Sequence, residues 1–184
     1  QWYQANYDKA VTLFEELRFQ AQAHGDRLYE GVALINIGIV FKDLGFYSRA
    51  FEMTEQSLEI FRALNDRYRE AHALYELGNN ALSLGRLTQA QDYFAHSLVS
   101  YSELNIPARL ATLHWSQGFM HQLLGEIEAS EQSYRQAIEL AQQPELDTPS
   151  VVMDSQMYLG LLYQSQARYD AALEAYDAAL QLAN

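Results

Sequence analysis

Five histidines, His24, His72, His96, His114 and His121, are the residues of this chain best suited to chemistry. There is no cysteine, which excludes disulfides and thiolate metal sites, so a metal centre would have to combine imidazole with carboxylate. His114 and His121 stand two helical turns apart, roughly 10 Å along an α-helix, too far to share one ion. They fall instead on packing positions of the pattern described below. His24, His72 and His96 form no group with acidic residues at ligand spacing. No Ser-His-Asp ordering, phosphate-binding glycine loop or paired-carboxylate site can be placed. The acidic runs Glu52/Glu55/Glu59 and Glu126/Glu128/Glu131 follow helical spacing and are expected to be solvated faces. No catalytic, cofactor or metal site is therefore expected, and the chain is not expected to be an enzyme.

Charge narrows the partners. The formal net charge is −12, with Lys9 and Lys42 the only lysines. A surface that neutralises phosphates needs a basic footprint, which argues against nucleic acid and against anionic membrane surfaces. The longest apolar run, residues 31–41, is broken by Asn36 and too short to span a bilayer. No signal peptide is visible and Gln1 is not a natural start. The expectation is a cytoplasmic segment of a longer protein.

The elements that would position any site are set by a repeat. Gly38, Gly78, Gly118 and Gly160 recur at intervals of 40, 40 and 42 residues. Gly45, Gly85 and Gly125 follow seven residues behind, with Ala167 in the fourth place, and Ala50, Ala90, Ser130 and Ala172 come five residues later. A fixed period of this size marks a solenoid, and stacked repeats build extended surfaces rather than chemical pockets. Within the second period, Leu74, Leu77, Ala81 and Leu84 keep helical spacing, and Gly85 provides a left-handed stop. Leu87, Ala90, Phe94 and Leu98 carry a second helix to Asn105. A loop of about three residues makes the two helices antiparallel neighbours. Gly78 lies mid-helix, at a cost of roughly 1 kcal/mol against alanine. Close approach of the partner helix, opposite a small residue such as Ala90, is the expected compensation.

Leu74-x-x-Leu77-Gly78-x-x-Ala81 followed by Ala90-x-x-x-Phe94 resembles the tetratricopeptide repeat. Leu34-x-x-Ile37-Gly38-x-x-Phe41 with Ala50, and Gln156-x-x-Leu159-Gly160-x-x-Tyr163 with Ala172 and Tyr176, resemble it too. His114-x-x-Gln117-Gly118-x-x-His121 with Ser130 and Tyr134 is the most divergent copy. The copies are about six residues longer than the common repeat, like those of spindle-orientation scaffolds, kinesin light chains and the sensor segments of bacterial signalling ATPases. The resemblance implies an all-α, right-handed superhelical solenoid of antiparallel helix pairs. The expected repeats are 25–66, 67–106, 107–147 and 148–184, after a partial repeat over 1–24. In that partial repeat, residues 7–24 are a second helix and Gln1 to Gln4 the tail of a missing first one. Asn184 stops where another repeat could begin. Pro144 and Pro149 mark the irregular junction.

In the family, first helices line a concave face. Alignment then assigns a peptide groove to Ile35, Ile39 and Lys42; to His72, Tyr75 and Asn79; to Trp115, Phe119 and Gln122; and to Met157, Leu161 and Gln164. Val32, Leu82, Thr112 and Asp154 complete the rows. The rows Ile35/Tyr75/Trp115/Met157 and Ile39/Asn79/Phe119/Leu161 are expected to form an apolar strip, with Trp115 as its anchor. Of the polar residues that clamp a terminal carboxylate in chaperone-docking relatives, only Asn79 is present, so carboxylate capture is not expected. The resemblance thus implies a protein- or peptide-binding scaffold with apolar anchors and no cofactor. The alternative is the ligand- or peptide-sensing segment of a larger signalling ATPase or transcription regulator. The incomplete N-terminal repeat, with Ala10, Phe14 and Leu17 uncovered, suggests self-association.

Overall fold

The computed structural model describes residues 2–146 and 148–182, and among them the secondary structure is nine α-helices. These are α1 (Trp2–His24), α2 (Arg27–Asp43), α3 (Tyr47–Ala63), α4 (Arg67–Ser83), α5 (Leu87–Glu103), α6 (Pro107–Leu124), α7 (Ile127–Ala141), α8 (Pro149–Ser165) and α9 (Tyr169–Leu182). The architecture is an all-α array of helix pairs joined by short turns, the class the 40-residue period predicts. The chain forms two compact units, Gln1–Ser100 and Tyr101–Asn184.

Local chemistry sets the helix ends. Asp26 caps α2 and Asp66 caps α4, their carboxylates accepting the backbone N–H of Tyr29 at 3.1 Å and of Arg69 at 3.0 Å. In the second unit, α6 and α8 start with a proline in the first turn, where a missing N–H does no harm. Gly45, Gly85 and Gly125 sit at φ +81, +70 and +74, and Ala167 takes the same left-handed conformation at φ +58. A backbone bond then reaches back across each stop, as from the Arg86 N–H to the Ala81 carbonyl at 2.8 Å.

The recurrent glycines make room for rings. A Cβ at Gly78 would fall 2.5 Å from Phe94 Cδ1, and one at Gly118 2.6 Å from Tyr134 Cδ1. Gly160 meets Tyr176 in the same way, its Cβ position 2.6 Å from Cδ1. The small residues Ala50, Ala90, Ser130 and Ala172 are buried nearby, but it is the residue four places on that faces the glycine. This corrects the expectation of a small residue opposite Gly78. At these three glycines the helices approach so that an aromatic side chain lies against bare backbone. Gly38 is the exception: its close neighbours are the Thr54 hydroxyl and the Ala50 carbonyl.

At the N-terminus, α1 runs unbroken from Trp2, so residues 2–4 belong to it and are not the tail of a separate helix. Between Gln4 and Tyr7 there is neither Gly nor Pro to end a helix. Gln1 and Asn184 lie outside the described residues. Val11 and Phe14 pack against the Ile37/Phe41/Ala50 core cluster, so Phe14 is engaged rather than bare. Ala10 and Leu17 are half-buried, and among the described residues Leu13 and Phe19 are large apolar side chains of α1 that stand exposed.

Candidate binding surface

In the first unit, the expected groove residues lie on α2 and α4, where much of their surface is already used. Ile35 is buried, with 4% exposure, and belongs to the core rather than to a groove. Ile39 and Asn79 are half-buried. Tyr75 is also half-buried, its ring centroid 6.2 Å from that of Phe94. Lys42 donates to the Glu76 carboxylate at 2.7 Å across the two helices, and His72 Nε2 lies 3.6 Å from the other Glu76 oxygen. Burial pushes the Glu76 carboxyl up, but the nearby His72 imidazole and the Lys42 ammonium outweigh it and hold the group below its ordinary range. Burial likewise pulls Lys42 down, and Glu76 more than restores it. Lys42 is therefore a partner of Glu76 and not an open groove cation. The sequence reading missed this because Glu76 stands one residue off the groove row, and its His72 spacing of four is an ordinary helical contact.

In the second unit, α6 and α8 carry an aromatic cluster. Trp115 and Phe119 stack with centroids 6.5 Å apart. Tyr158, which falls outside the expected rows, meets both edge-on at 5.6 and 5.7 Å. Tyr158 also stacks on Tyr134 at 5.9 Å. Trp115 packs against the core formed by Tyr134, Leu159, Leu162 and Tyr163, and its indole nitrogen is fully buried with no hydrogen-bond partner among the described residues. Its ring is shared between core and surface. Beside this cluster, Met157 and Leu161 stand one turn apart on α8 with 42% and 43% exposure. Gln122 and Gln164 are occupied differently from expectation. Each accepts a hydrogen bond from the tyrosine hydroxyl twelve residues on, Tyr134 at 3.2 Å and Tyr176 at 2.9 Å. Where the ring is Phe94, which has no hydroxyl, the corresponding position is Leu82.

The opposite side of α8 faces a groove of about 640 Å³ between α7 and α9. Its floor includes Ile138, Leu159, Ala171, Ala175 and Ala178, and Arg135, Tyr163 and Arg168 stand at one end. These three converge on Glu131, which accepts from the Tyr163 hydroxyl at 2.9 Å, Arg135 Nη2 at 2.9 Å and Arg168 Nη1 at 3.0 Å. Burial raises the Glu131 carboxyl, but the Tyr163 hydroxyl and the two guanidinium groups more than reverse this and hold it low. Glu131 is thus the hub of a network and not a plain solvated residue, whereas Glu126 and Glu128 are exposed as expected.

The histidines are placed for structure. His114 is half-buried; burial pulls its pKa down, and a side-chain hydrogen bond to Gln117 opposes this only in part. His121 Nδ1 lies 2.6 Å from the Glu126 carboxylate. His24 and His96 each contact the backbone carbonyl four residues earlier at 2.8 Å. Among the described residues no group of three or more metal-ligating side chains forms, and no helix is long and apolar enough to cross a membrane.

Comparison with curated proteins finds no match. Tetratricopeptide repeat family models match residues 71–98 and 111–144 and, in a second form of the repeat, residues 152–184. Solved structures share the fold at low identity. BtubC (BKLC) from P. vanneervenii is 18% identical with a TM-score of 0.84, over 98% of this chain and 74% of that one. MamA is 17% identical with a TM-score of 0.66, over 98% and 90%. The Rap conjugation gene regulator of plasmid pLS20, in complex with the Phr* peptide, is 16% identical with a TM-score of 0.83. The match spans 99% of this chain and half of the regulator.

Proposed function

Because the chain belongs to the tetratricopeptide repeat family, whose arrays serve as protein-interaction scaffolds, we propose that it binds a peptide segment through the apolar face of α6 and α8. The observation that carries this reading is the exposure of Met157 and Leu161 beside the Trp115/Phe119/Tyr158 cluster. An aromatic platform with exposed apolar side chains at its edge suits an apolar anchor, since large side chains in desolvated central positions carry most interface energy. In the first unit, Ile35 is core and Lys42 is held by Glu76, so neither is offered as a contact. We take the chain as one array with repeats 25–66, 67–106, 107–147 and 148–184. Net acidity favours basic flanks on the partner, acting more on association rate than on final affinity.

The test is selection of peptides from a displayed library on the intact chain, followed by titration of the best binder. Met157→Ser with Leu161→Ser should weaken that peptide about tenfold or more, equivalent to about 1.4 kcal/mol, and leave Tm unchanged. Full-strength binding by the double variant sinks the proposal. A sensing role within a larger regulator is the second reading, favoured by the likeness to a gene regulator in complex with a peptide. It predicts that the bound peptide alters the activity of an attached domain and not merely its location. On α1, the exposure of Leu13 and Phe19 favours contact with a second copy. Sedimentation of the intact chain against Phe19→Ser decides this, and a monomer at high concentration refutes it.

A further inference from the structure

The groove between α7 and α9 has a counterpart position in the first unit that carries aromatic rings. There, the side chains between α3 and α5 over α4 include Phe51 and Tyr93, whose rings meet edge-on at 6.0 Å. The Arg86 guanidinium lies 5.5 Å above the Phe51 ring. Two periods on, the position of Phe51 is Glu131, that of Tyr93 is Ala175 and that of Arg86 is Arg168. The arginine keeps its relation to its neighbour, since Arg168 bonds Glu131 as Arg86 covers Phe51. Both rings are gone. The groove here measures about 640 Å³, with Ala171, Ala175 and Ala178 on its floor, a size typical of ligand-binding clefts.

The charges around the groove say what would enter it. Arg135 and Arg168 are tied to Glu131. Glu139 on α7 and Glu174 on α9 also line the groove and are exposed; neither forms an ion pair among the described residues. An occupant must present apolar bulk to the floor and positive charge to the two walls. We propose that this groove binds a basic peptide segment carrying an aromatic anchor, whose ring replaces those that Phe51 and Tyr93 supply in the first unit. The groove lies on nearly the opposite face of α8 from Met157 and Leu161, so this second site is independent of the one proposed above.

The probe is a fluorescein-labelled Lys-Lys-Phe-Phe-Lys-Lys amide, titrated by anisotropy against the intact chain, with Lys-Lys-Ser-Ser-Lys-Lys as the comparison. The phenylalanine peptide should bind, and the serine peptide should bind about tenfold more weakly or worse. Glu139→Lys with Glu174→Lys, both at exposed positions, should cost a similar factor and leave the helical circular dichroism unchanged. Met157→Ser should change binding by less than about twofold, within the scatter of a surface substitution. Ala175→Tyr, which restores a ring at the Tyr93 position, should block the groove. Because Ala175 is buried, that variant is read only if it melts cooperatively, and the exposed pair decides otherwise. Methyl resonances of Ile138, Ala171 and Ala178 should shift on titration. The proposal is overturned by no binding of the phenylalanine peptide or by equal binding of the serine peptide. It is equally overturned by retention of binding in the charge-reversed pair, or by methyl shifts confined to Met157 and Leu161.

Discussion

Gly78→Ala inverts the usual rule for helix interiors. In an open helix the added methyl stabilises by about 1 kcal/mol, because glycine loses more backbone entropy on folding. Here the new Cβ would sit 2.5 Å from Phe94 Cδ1 and 3.0 Å from Cζ, where ordinary contact begins at 3.4 Å. The ring must retreat by close to an ångström. It has nowhere to go, since Phe94 is fully buried at 0% exposure and the Tyr75 ring lies beside it. Overpacking of a closed core costs about 1–3 kcal/mol. With the ring enclosed the upper end applies, and subtracting the propensity gain leaves a net loss of about 2 kcal/mol. For a chain of this length that lowers Tm by about 4–8 °C. The same substitution at Gly160 meets Tyr176, whose ring is only half-buried and can swing outward, so its cost should be smaller. Thermal and urea unfolding followed by circular dichroism measure both. An unchanged or raised midpoint for Gly78→Ala, or an equal loss at the two glycines, refutes the ring-on-backbone account.

Ala167 is held at φ +58, a conformation costing a non-glycine residue about 1–2 kcal/mol; Ala167→Gly should raise stability by up to about 1 kcal/mol after its unfolded-state entropy is counted, and a lower Tm contradicts this. Glu76 binds a proton less readily folded than unfolded, so its contribution is complete above the ordinary carboxyl value of 4.5 and is lost as pH falls through the lower folded value. Glu76→Gln should therefore flatten the fall in stability over that acid range, measured by urea midpoints against pH, and an unaltered profile rules the ion pair out as its source. Tyr134→Phe and Gln122→Leu should each cost about 1 kcal/mol by stranding one hydrogen-bond partner, whereas the double variant, which recreates the Phe94/Leu82 pairing, should recover most of the loss in a double-mutant cycle.

The helices were legible because their signals are local. Asp26, Asp66, Pro107 and Pro149 start the first helix of each pair, and Gly45, Gly85 and Gly125 stop it, each through bonds reaching a few residues. The positions Leu34, Ile37, Leu74, Leu77 and Ala81 repeat at helical spacing and are buried. The surface was less legible because its pairings span a repeat or more. Lys42 finds Glu76 34 residues on, and Arg168 finds Glu131 37 residues back. Alignment to a groove row fixes which side of a helix a residue occupies, yet says nothing of a charged neighbour in the next repeat. It therefore offered Lys42, Gln122 and Gln164 as open groove contacts, when each already holds a partner.

A repeat chain also contains its own control experiment. Where successive copies agree, as at Gly78, Gly118 and Gly160, each of which accepts a ring, the shared residue answers a packing need common to those copies. Where copies disagree and the partner position changes in step, the need is met another way: Leu82 beside Phe94 becomes Gln122 beside Tyr134, and Gln164 beside Tyr176. The remaining case is a change with incomplete compensation. Phe51 and Tyr93 give way to Glu131 and Ala175, and although Ala81 has become Tyr163, whose hydroxyl reaches the new carboxylate, the groove stays open. Folding alone would favour filling such a gap, because a void forfeits dispersion contacts and close packing is the norm in protein interiors. Without a ring to fill it, the groove keeps alanines in its lining and exposed carboxylates at Glu139 and Glu174, and that is why the α7–α9 groove, and not only the face the family suggests, merits the titration proposed for it.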